Sequence, residues 1–277
     1  MVWNRIPPLE MEMNQDIIHA TRDIWNQNAA FWDERSGDDG LPMQKLLIAP
    51  ITERLLDLQR DERVLDIACG NGAFARRMAA LGAHVVACDF AQAFIERARA
   101  RTFENADRIG YQVIDATDER ALLALGARSF DAAVCTMGLM DMPEIAPLMH
   151  ALSQLLKPRA RFVFSIMHPC FNSTTGMKMV VEEEDRDGEL VVVHAIKISQ
   201  YATPTTHKGV GIIGQPASQY YFHRPLNVLF GACFHAGFVL DALEEPTFDE
   251  GTRPNRPFSW ENYHEIPPVL IARWRLV

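Results

Sequence analysis

A strand, a glycine-bearing loop and a helix follow one another within residues 64–74, and this pattern constrains the fold more than any other feature of the chain. The first residues of the segment are apolar and suit a buried strand. Gly70 and Gly72 let the backbone turn tightly and approach a ligand where a Cβ atom would intrude. Apolar residues then recur at helical spacing from Phe74 onward. The pattern predicts a cofactor loop between a strand and a helix.

The charge at this loop restricts the cofactor. Asp66 lies at the end of the predicted strand, where a carboxylate would repel the pyrophosphate of a dinucleotide. A dinucleotide-binding loop also carries a third glycine, and Ala75 stands at that position here. A cationic or amine-bearing ligand is favoured instead, and S-adenosylmethionine, with its sulfonium and ammonium groups, is such a ligand. A nicotinamide-dependent oxidoreductase is a less favoured alternative, which an acid at Asp89 also allows.

Two further strand-like runs end in acids. One run covers residues 84–89 and ends in Asp89, and the other covers residues 111–115 and ends in Asp115. The separation of Asp66 and Asp89 is close to the one that a β-α-β unit imposes. An acid at the second position can accept hydrogen bonds from two ribose hydroxyls. Because each run is followed by a helical pattern, the chain is predicted to form a parallel α/β sheet.

The segment from Asp66 to Gly72 resembles the first motif of the class I S-adenosylmethionine-dependent methyltransferases, an acid followed by G-x-G-x-G, often with alanine at the first glycine. The resemblance covers roughly residues 60–170 with specific motifs and 225–277 with weaker ones. It implies an α/β, Rossmann-like, seven-stranded and mostly parallel sheet, whose last strand is antiparallel and lies between the fifth and sixth. It also implies S-adenosyl-L-methionine as cofactor and S-adenosyl-L-homocysteine as product.

The resemblance further implies which residues contact the cofactor. Asp115 would contact the adenine amino group, and the backbone of Ala116 would contact the ring. Residues 130–140 resemble the family's fourth motif, a strand that ends beside the methionine moiety. The predicted cofactor-binding residues are Trp32, Asp66, Ala68, Gly70, Asn71, Gly72, Asp89, Phe90, Asp115, Ala116, Cys135, Met137 and Met140.

An N-terminal decoration precedes the predicted sheet. Residues 1–60 are expected to form a helical cap, with helices near 13–31 and 44–58. Trp32 lies in a segment that resembles the aromatic lid over the cofactor in many small-molecule methyltransferases. The methyltransferase domain itself is predicted to cover residues 61–277.

A second decoration follows the fifth strand. A helix is expected from near Pro143 to Lys157, and the fifth strand is expected at residues 161–166. The stretch from about 168 to 224 is too long for an ordinary connection, so it is predicted to be a lid insert that contains β structure. A run of acids at 182–185 within it is expected to form a solvated turn.

Methyl transfer from a sulfonium is an in-line displacement with an activated donor, so the protein mainly supplies alignment and exclusion of water. A general base, where one is used, should lie at the ends of the fourth and fifth strands or in the lids. His168 follows the fifth strand directly, and Tyr221 and His223 lie at the exit of the insert. These three are the predicted catalytic residues, whereas His207 and His264 are expected to be structural.

Composition sets limits on the class of protein. A chain of 277 residues that is 48% hydrophobic can bury the core of one catalytic domain with decorations. Its net charge of -9 argues against a surface for nucleic acid. The five cysteines form no C-x-x-C pair and do not cluster with histidines, so no metal site is predicted. No stretch resembles a membrane span or a signal peptide, and a cytoplasmic location is expected.

Together these features predict an S-adenosylmethionine-dependent methyltransferase that acts on a small-molecule acceptor by in-line transfer. A further alternative is a protein that binds S-adenosylmethionine without transferring its methyl group, as a non-methylating enzyme or a regulatory protein. The sequence leaves open the acceptor, the atom that is methylated, the use of a base and the oligomeric state.

Overall fold

The computed structural model describes residues 8–172, 176–252 and 256–277. Its centre is a seven-stranded sheet with the strand order β10-β11-β5-β4-β1-β2-β3. The strands of this sheet are β1 (Arg63–Ile67), β2 (His84–Asp89), β3 (Ile109–Val113), β4 (Phe130–Thr136), β5 (Leu156–Met167), β10 (Phe238–Glu244) and β11 (Val269–Leu276), and the insert contributes β6 to β9.

The sheet has the predicted topology. Strands β1 to β5 pair in parallel with their neighbours. Strand β11 is antiparallel to both β5 and β10 and lies between them, which confirms the predicted place of the last strand. The strand order reverses between β1 and β4, and ligands of open α/β sheets bind beyond the carboxyl ends of the strands at such a switch point.

Helices cover both faces of the sheet. The helices are α1 (Pro8–Ser36), α2 (Ala49–Leu56), α3 (Ala73–Ala80), α4 (Gln92–Arg101), α5 (Glu119–Leu123), α6 (Ala146–Leu155) and α7 (Leu226–His235). Side chains of β1 alternate between the faces, because Val64 packs in a cluster with α2, α3 and α4, and Leu65 in a cluster with α5, α6 and α7. None of the helices in the described part of the chain is long and apolar enough to cross a bilayer.

The structure divides the predicted N-terminal cap in two. Helix α1 is longer than the predicted 13–31 and packs through Trp25 and Ala29 against Phe94 of α4. A π-helical turn, Gln44–Ile48, leads into α2, whose leucines lie in the buried cluster on one face of the sheet. Only α1 is therefore a cap, since α2 belongs to the sheet's own helical layer. Residues 1–7 of the predicted cap lie outside the described residues.

The helix between β4 and β5 is shorter than predicted. Helix α6 starts at Ala146 with Pro147 in its first turn, so Pro143 lies before the helix rather than in it. The helix ends at Leu155, and β5 begins one residue later, well before the predicted 161–166. The early start arises because Leu156 already pairs with Phe130, ahead of a shift in the strand register.

The insert after β5 contains β structure, as predicted. It forms two hairpins, β6 (Met177–Arg186) with β7 (Glu189–Ile198), and β8 (Thr205–Gly209) with β9 (Gln219–His223). The acids at 182–185 lie in β6 and are exposed, so the expected turn is wrong although the expected solvation is right. The turn lies instead at Asp187 and Gly188, both with positive φ, which suits a tight hairpin.

Candidate active site

A cavity of about 1190 Å³ opens at the switch point of the sheet. Its walls come from the carboxyl ends of β1 to β5, from α1 and from the β8-β9 part of the insert. The predicted cofactor residues that line it are Trp32, Ala68, Gly70, Asn71, Asp89, Phe90, Asp115, Ala116, Met137 and Met140. Because its volume exceeds the usual range for one ligand, it can hold a nucleoside-sized cofactor and a second small molecule together.

The backbone conformation of the loop after β1 restricts which residues the loop can contain. Ala68, Gly70 and Gly72 all have positive φ. A Cβ atom on Gly72 would lie 2.4 Å from the Tyr111 hydroxyl oxygen, so no larger residue fits without displacement. A Cβ atom on Gly70 would meet nothing within 4 Å, so the backbone there faces open cavity. The loop therefore gives a ligand direct access to the main chain.

Asp89 ends β2 and is held by two backbone donors. Its Oδ2 accepts a hydrogen bond from Gly70 N–H at 3.0 Å, and its Oδ1 accepts one from Ala91 N–H at 2.9 Å. Burial raises the pKa of Asp89 to about 6, and the two backbone hydrogen bonds oppose that rise. The group is therefore mainly ionised at neutral pH. Since a carboxylate has about four acceptor positions, two remain for a diol at the cavity.

Asp115 follows β3 and is oriented by its own turn. Its Oδ1 accepts hydrogen bonds from the Thr117 backbone N–H at 2.8 Å and from the Thr117 hydroxyl at 2.6 Å. Both recorded bonds use one oxygen, and the residue lines the cavity together with Ala116 and Phe90. The carboxylate is thus pre-oriented for a planar, nitrogen-bearing ring.

Asp66 is fully buried within β1. Neither carboxylate oxygen has a hydrogen-bond partner within the described parts of the chain. Burial first, and the charge of Asp89 second, raise the pKa of Asp66 to about 8. An unpaired buried acid is costly, so this position favours a cationic ligand at the adjacent loop.

Three predicted cofactor residues do not line the cavity: Asp66, Gly72 and Cys135. Gly72 shapes the loop through its φ, as described above. Cys135 is fully buried in the core cluster at the end of β4, and its sulfur would lie 2.9 Å from a Cβ atom on Gly138. These three residues lie next to cavity-lining residues in the chain, and their contact with a cofactor stays a prediction.

The cap helix is tied to the cofactor loop by a polar network. The Asn71 side-chain amide donates to Asp33 Oδ1 at 3.0 Å and to the Gly37 carbonyl at 2.8 Å. Arg101 of α4 pairs with the same Asp33. Although burial opposes ionisation, the hydrogen bonds from Arg101 and Asn71 hold the pKa of Asp33 below its usual value. The end of α1, with Trp32, is thereby fixed over the cavity.

Asp141 lies in a 3-10 turn, Leu139–Asp141, directly after β4, and sequence reasoning did not identify it. It lines the cavity, and its Oδ1 is buried without a hydrogen-bond partner in the part of the chain that the structure covers. Gln219 of β9 donates a hydrogen bond to the carboxyl group, and Gln215 in turn donates to Gln219 Oε1 at 3.0 Å. Burial, followed by the charge of Asp89, raises the pKa of Asp141 well above its usual value.

The turn that carries Asp141 is held by a buried arginine. The Arg224 guanidinium donates to the carbonyl oxygens of Leu139 at 3.2 Å, Met142 at 2.5 Å and Pro143 at 2.7 Å. Burial lowers the pKa of Arg224 to about 10, so the side chain stays cationic at neutral pH. This arrangement joins the exit of the insert to the end of β4.

His207 and Tyr221 face each other across the β8-β9 hairpin and both line the cavity. Their rings are stacked with centroids 5.3 Å apart. His207 Nδ1 is buried and has no hydrogen-bond partner among the described residues. Burial, and then His223, lower the pKa of His207, so its imidazole is neutral at pH 7. The expectation of a purely structural His207 missed this placement in the cavity wall.

The predicted catalytic residues fall in different places. Tyr221 and His223 line the cavity, and His223 Nε2 donates to the Tyr201 carbonyl at 2.7 Å. His168 does not line it and is 1% exposed. Its Nε2 lies 2.7 Å from Glu245 Oε1, and its Nδ1 accepts from Cys170 N–H at 3.2 Å. Both ring nitrogens of His168 are thus engaged within the protein, and its role as a base stays a prediction.

The likeness to known proteins is concentrated on the cofactor half of the chain. A family model described as a methyltransferase domain matches residues 64–159. A ubiquinone biosynthesis O-methyltransferase from Xanthomonas axonopodis pv. citri is 36% identical over 106 residues, which are 38% of this chain and 43% of that protein. A demethylmenaquinone methyltransferase from Clavibacter sepedonicus is 39% identical over 102 residues, which are 37% and 40% of the two chains. The chain thus spans less than half the length of these curated relatives.

A solved structure extends the likeness in fold. The S-adenosylmethionine-dependent methyltransferase from Mesorhizobium loti superposes with a TM-score of 0.65 over 82% of this chain and 96% of its own, at 24% identity. The acids at the strand ends, the strained glycine loop and the antiparallel seventh strand agree with that fold. Residues 64–159 therefore match a methyltransferase domain, and the fold of the chain is similar to that of a solved S-adenosylmethionine-dependent methyltransferase.

Proposed function

We propose that this protein transfers a methyl group from S-adenosylmethionine to a small-molecule acceptor. The observation that carries the proposal is the buried and unpartnered Asp66 behind a glycine loop whose backbone is open to the cavity. Burial leaves Asp66 largely protonated near neutral pH, and a positive group at the loop would favour its ionised form, whereas a dinucleotide pyrophosphate would disfavour it.

The residues at the strand ends fit the remaining groups of this cofactor. Asp89 keeps acceptor positions for the two ribose hydroxyls, and Asp115 keeps an oxygen for the adenine amino group. Trp32, Met137 and Met140 supply apolar and aromatic walls that exclude water. When bound, the cofactor supplies a methyl group already activated by the sulfonium.

The protein's own task is then alignment of the acceptor. In-line displacement requires the acceptor atom within about 3 to 3.5 Å of the methyl carbon, and a closed cavity favours that geometry. The family match covers residues 64–159, so the cavity walls that α1 and the insert contribute lie outside the matched segment. The acceptors that the relatives' names indicate therefore do not transfer to this chain.

Other features favour a small molecule as partner. The net charge of -9 opposes a nucleic-acid surface, and the cavity is enclosed by α1 and the insert. A cytoplasmic location stays a prediction from the sequence.

Calorimetric titration with S-adenosylhomocysteine, with NADH as the comparison ligand, tests the proposal. We expect micromolar or tighter binding of S-adenosylhomocysteine and none of NADH. Binding of NADH alone would support the oxidoreductase alternative and overturn the proposal. Methyl-labelled cofactor with a panel of small acceptors then separates a methyltransferase from a protein that binds the cofactor without transfer, which would give no labelled product.

A further inference from the structure

Three polar atoms in the wall of the cavity are buried without a hydrogen-bond partner among the described residues. They are Trp32 Nε1, Asp141 Oδ1 and His207 Nδ1. Leaving such a group unpaired costs free energy, and native proteins rarely do so without a ligand or function. Unlike Asp66, these atoms belong to the cap and the insert half of the cavity, away from the glycine loop.

The three residues meet around Tyr221. The His207 ring stacks on the Tyr221 ring, and Asp141 is close enough for its charge to act on the Tyr221 hydroxyl. A Cβ atom on Gly211 would lie 2.7 Å from the Trp32 ring and 2.9 Å from the Tyr221 hydroxyl oxygen. The side chains of Trp32 and Tyr221 therefore both lie against Gly211, where no larger residue would leave them room. Trp32, Asp141, His207 and Tyr221 are called the polar-aromatic subsite below.

The cationic side chains that line the cavity are all engaged elsewhere. Arg76 donates to the Asn71 and Asp38 carbonyls, Arg77 and Arg101 pair with acids, and Arg224 donates to carbonyl oxygens. The Lys208 ammonium lies 4.4 Å from the centroid of the Tyr220 ring. In the described structure Asp141 is therefore left without a positive partner, although it sits beside aromatic rings.

A carboxylate next to aromatic rings is a recognition site for an ammonium group. A hydroxyl acceptor would have to develop negative charge beside that carboxylate, which opposes it. We propose that the acceptor is a small amine whose nitrogen binds Asp141 between Trp32 and Tyr221, with His207 Nδ1 as the proton acceptor. This inference rests on the proposed function and names its substrate class.

The proposed reaction conserves protons and electron pairs with the groups that are present. The protonated amine gives one proton to neutral His207, which becomes an imidazolium. The nitrogen lone pair then forms the nitrogen–carbon bond as the carbon–sulfur bond breaks, and that electron pair stays on sulfur as the neutral thioether. The product is the methylated ammonium, which Asp141 still pairs with.

Matched amines and alcohols test the substrate class. The protein saturated with S-adenosylhomocysteine is titrated with phenethylamine and 2-phenylethanol, and with tryptamine and tryptophol. We expect the amines to bind at least about tenfold more tightly than the alcohols, because a hydrogen bond between charged groups is worth that much. Equal binding, preference for the alcohols, or no binding of the amines would overturn the inference.

Variants separate the subsite from the cofactor site. Asp141→Asn keeps the shape of the side chain and should weaken amine binding about tenfold, while affinities for S-adenosylhomocysteine and the alcohols change less than about twofold. His207→Gln should slow amine methylation with little change in amine affinity. If Asp141→Asn binds the amines as well as the natural protein does, the inference fails while the proposed function stands. If the natural protein fails to bind S-adenosylhomocysteine, both fail.

Discussion

The two halves of the cavity are built in different ways. The cofactor half comes from short motifs at the ends of β1 to β4, where Asp66 lies in the last residues of β1, Asp89 ends β2 and Asp115 follows β3. The other half brings together Trp32 of α1, Asp141 after β4, and His207 and Tyr221 of the insert. The first half is encoded locally and matches a widespread family, whereas the second depends on segments far apart in the chain.

The hydrogen bonding differs in the same way. Asp89 and Asp115 are oriented by backbone groups next to them, so their geometry is fixed before a ligand arrives. In the other half, Gln219 and Gln215 of the insert hold Asp141. Asn28 of α1 joins this network, because its side chain both donates to and accepts from the backbone of Ala217. The geometry of the cofactor half is thus set by loops, and the geometry of the other half is set by the contact between α1 and the insert.

The largest effect is expected when Asp89, the acid proposed to bind the ribose, is removed. Asp89→Ala should weaken binding of S-adenosylhomocysteine by about 100-fold or more, because two hydrogen bonds to a charged acceptor are lost. Asp107→Ala, an exposed acid in a nearby turn, is the matched control and should bind normally. Calorimetry measures both. Unchanged affinity of the Asp89 variant would remove this residue from the cofactor half.

The next largest effect is expected at Arg224, which joins the end of the insert to the turn after β4. Arg224→Met should lower the free energy of unfolding by about 3 kcal/mol, since several buried carbonyl oxygens lose their donor. Arg120→Met, at an exposed position of α5, should change it little. Urea unfolding compares the two. A stable Arg224 variant would mean that the turn carrying Asp141 holds itself.

A smaller loss of stability is expected from a substitution in the glycine loop after β1. Gly72→Ala should destabilise the protein by about 1 to 2 kcal/mol from its positive φ alone, with a further loss from the contact with the Tyr111 hydroxyl. Gly110→Ala in β3, where a Cβ atom meets nothing within 4 Å, is the control. Thermal unfolding reads out both variants. Equal stability would show that the loop tolerates a side chain at residue 72.

The last effect is a pH dependence from Asp66, in which only the difference in slope between two proteins is measured. Its pKa is raised from 3.8 to about 8, so between these values the unfolded chain has lost a proton that the folded chain keeps. Stability should therefore fall as pH rises through this window, by at most about 1.4 kcal/mol per pH unit. Asp66→Asn should reduce that slope above about pH 6, where Asp89 no longer contributes, and leave the part that comes from the raised pKa of Asp141. Thermal unfolding between about pH 6.5 and 8.5 measures it, and identical slopes in both proteins would contradict the assignment.

Much of the cofactor half could be predicted, because its signals are periodic and local. Alternating burial, the acids at strand ends and the glycine positions each depend on neighbours in sequence. The start of β5 could not be predicted in this way, since it depends on the pairing of Leu156 with Phe130. The same holds for α2, which looked like part of a cap and packs on the sheet instead.

His168 and Asp141 each follow a strand of the sheet, but the structure places their side chains differently. His168 follows a parallel strand, as a catalytic residue often does, but Glu245 from beyond β10 engages its ring. Asp141 also lies beyond the carboxyl end of a parallel strand, where ligands bind, but no recognisable motif marks it in the sequence. Position at a strand end predicted proximity to the cavity, and it did not predict which side chain points into it.

The sequence by itself determined most of the sheet's strands and the glycine loop after β1, because hydrophobic period and backbone conformation act over a few residues, whereas the order of the strands was implied by the family resemblance. The tertiary structure alone decided which polar groups stay unpartnered in the cavity. Whether a buried nitrogen or oxygen finds a partner depends on the packing of α1, the end of β4 and the insert against one another. That packing assembles Trp32, Asp141 and His207 into one subsite.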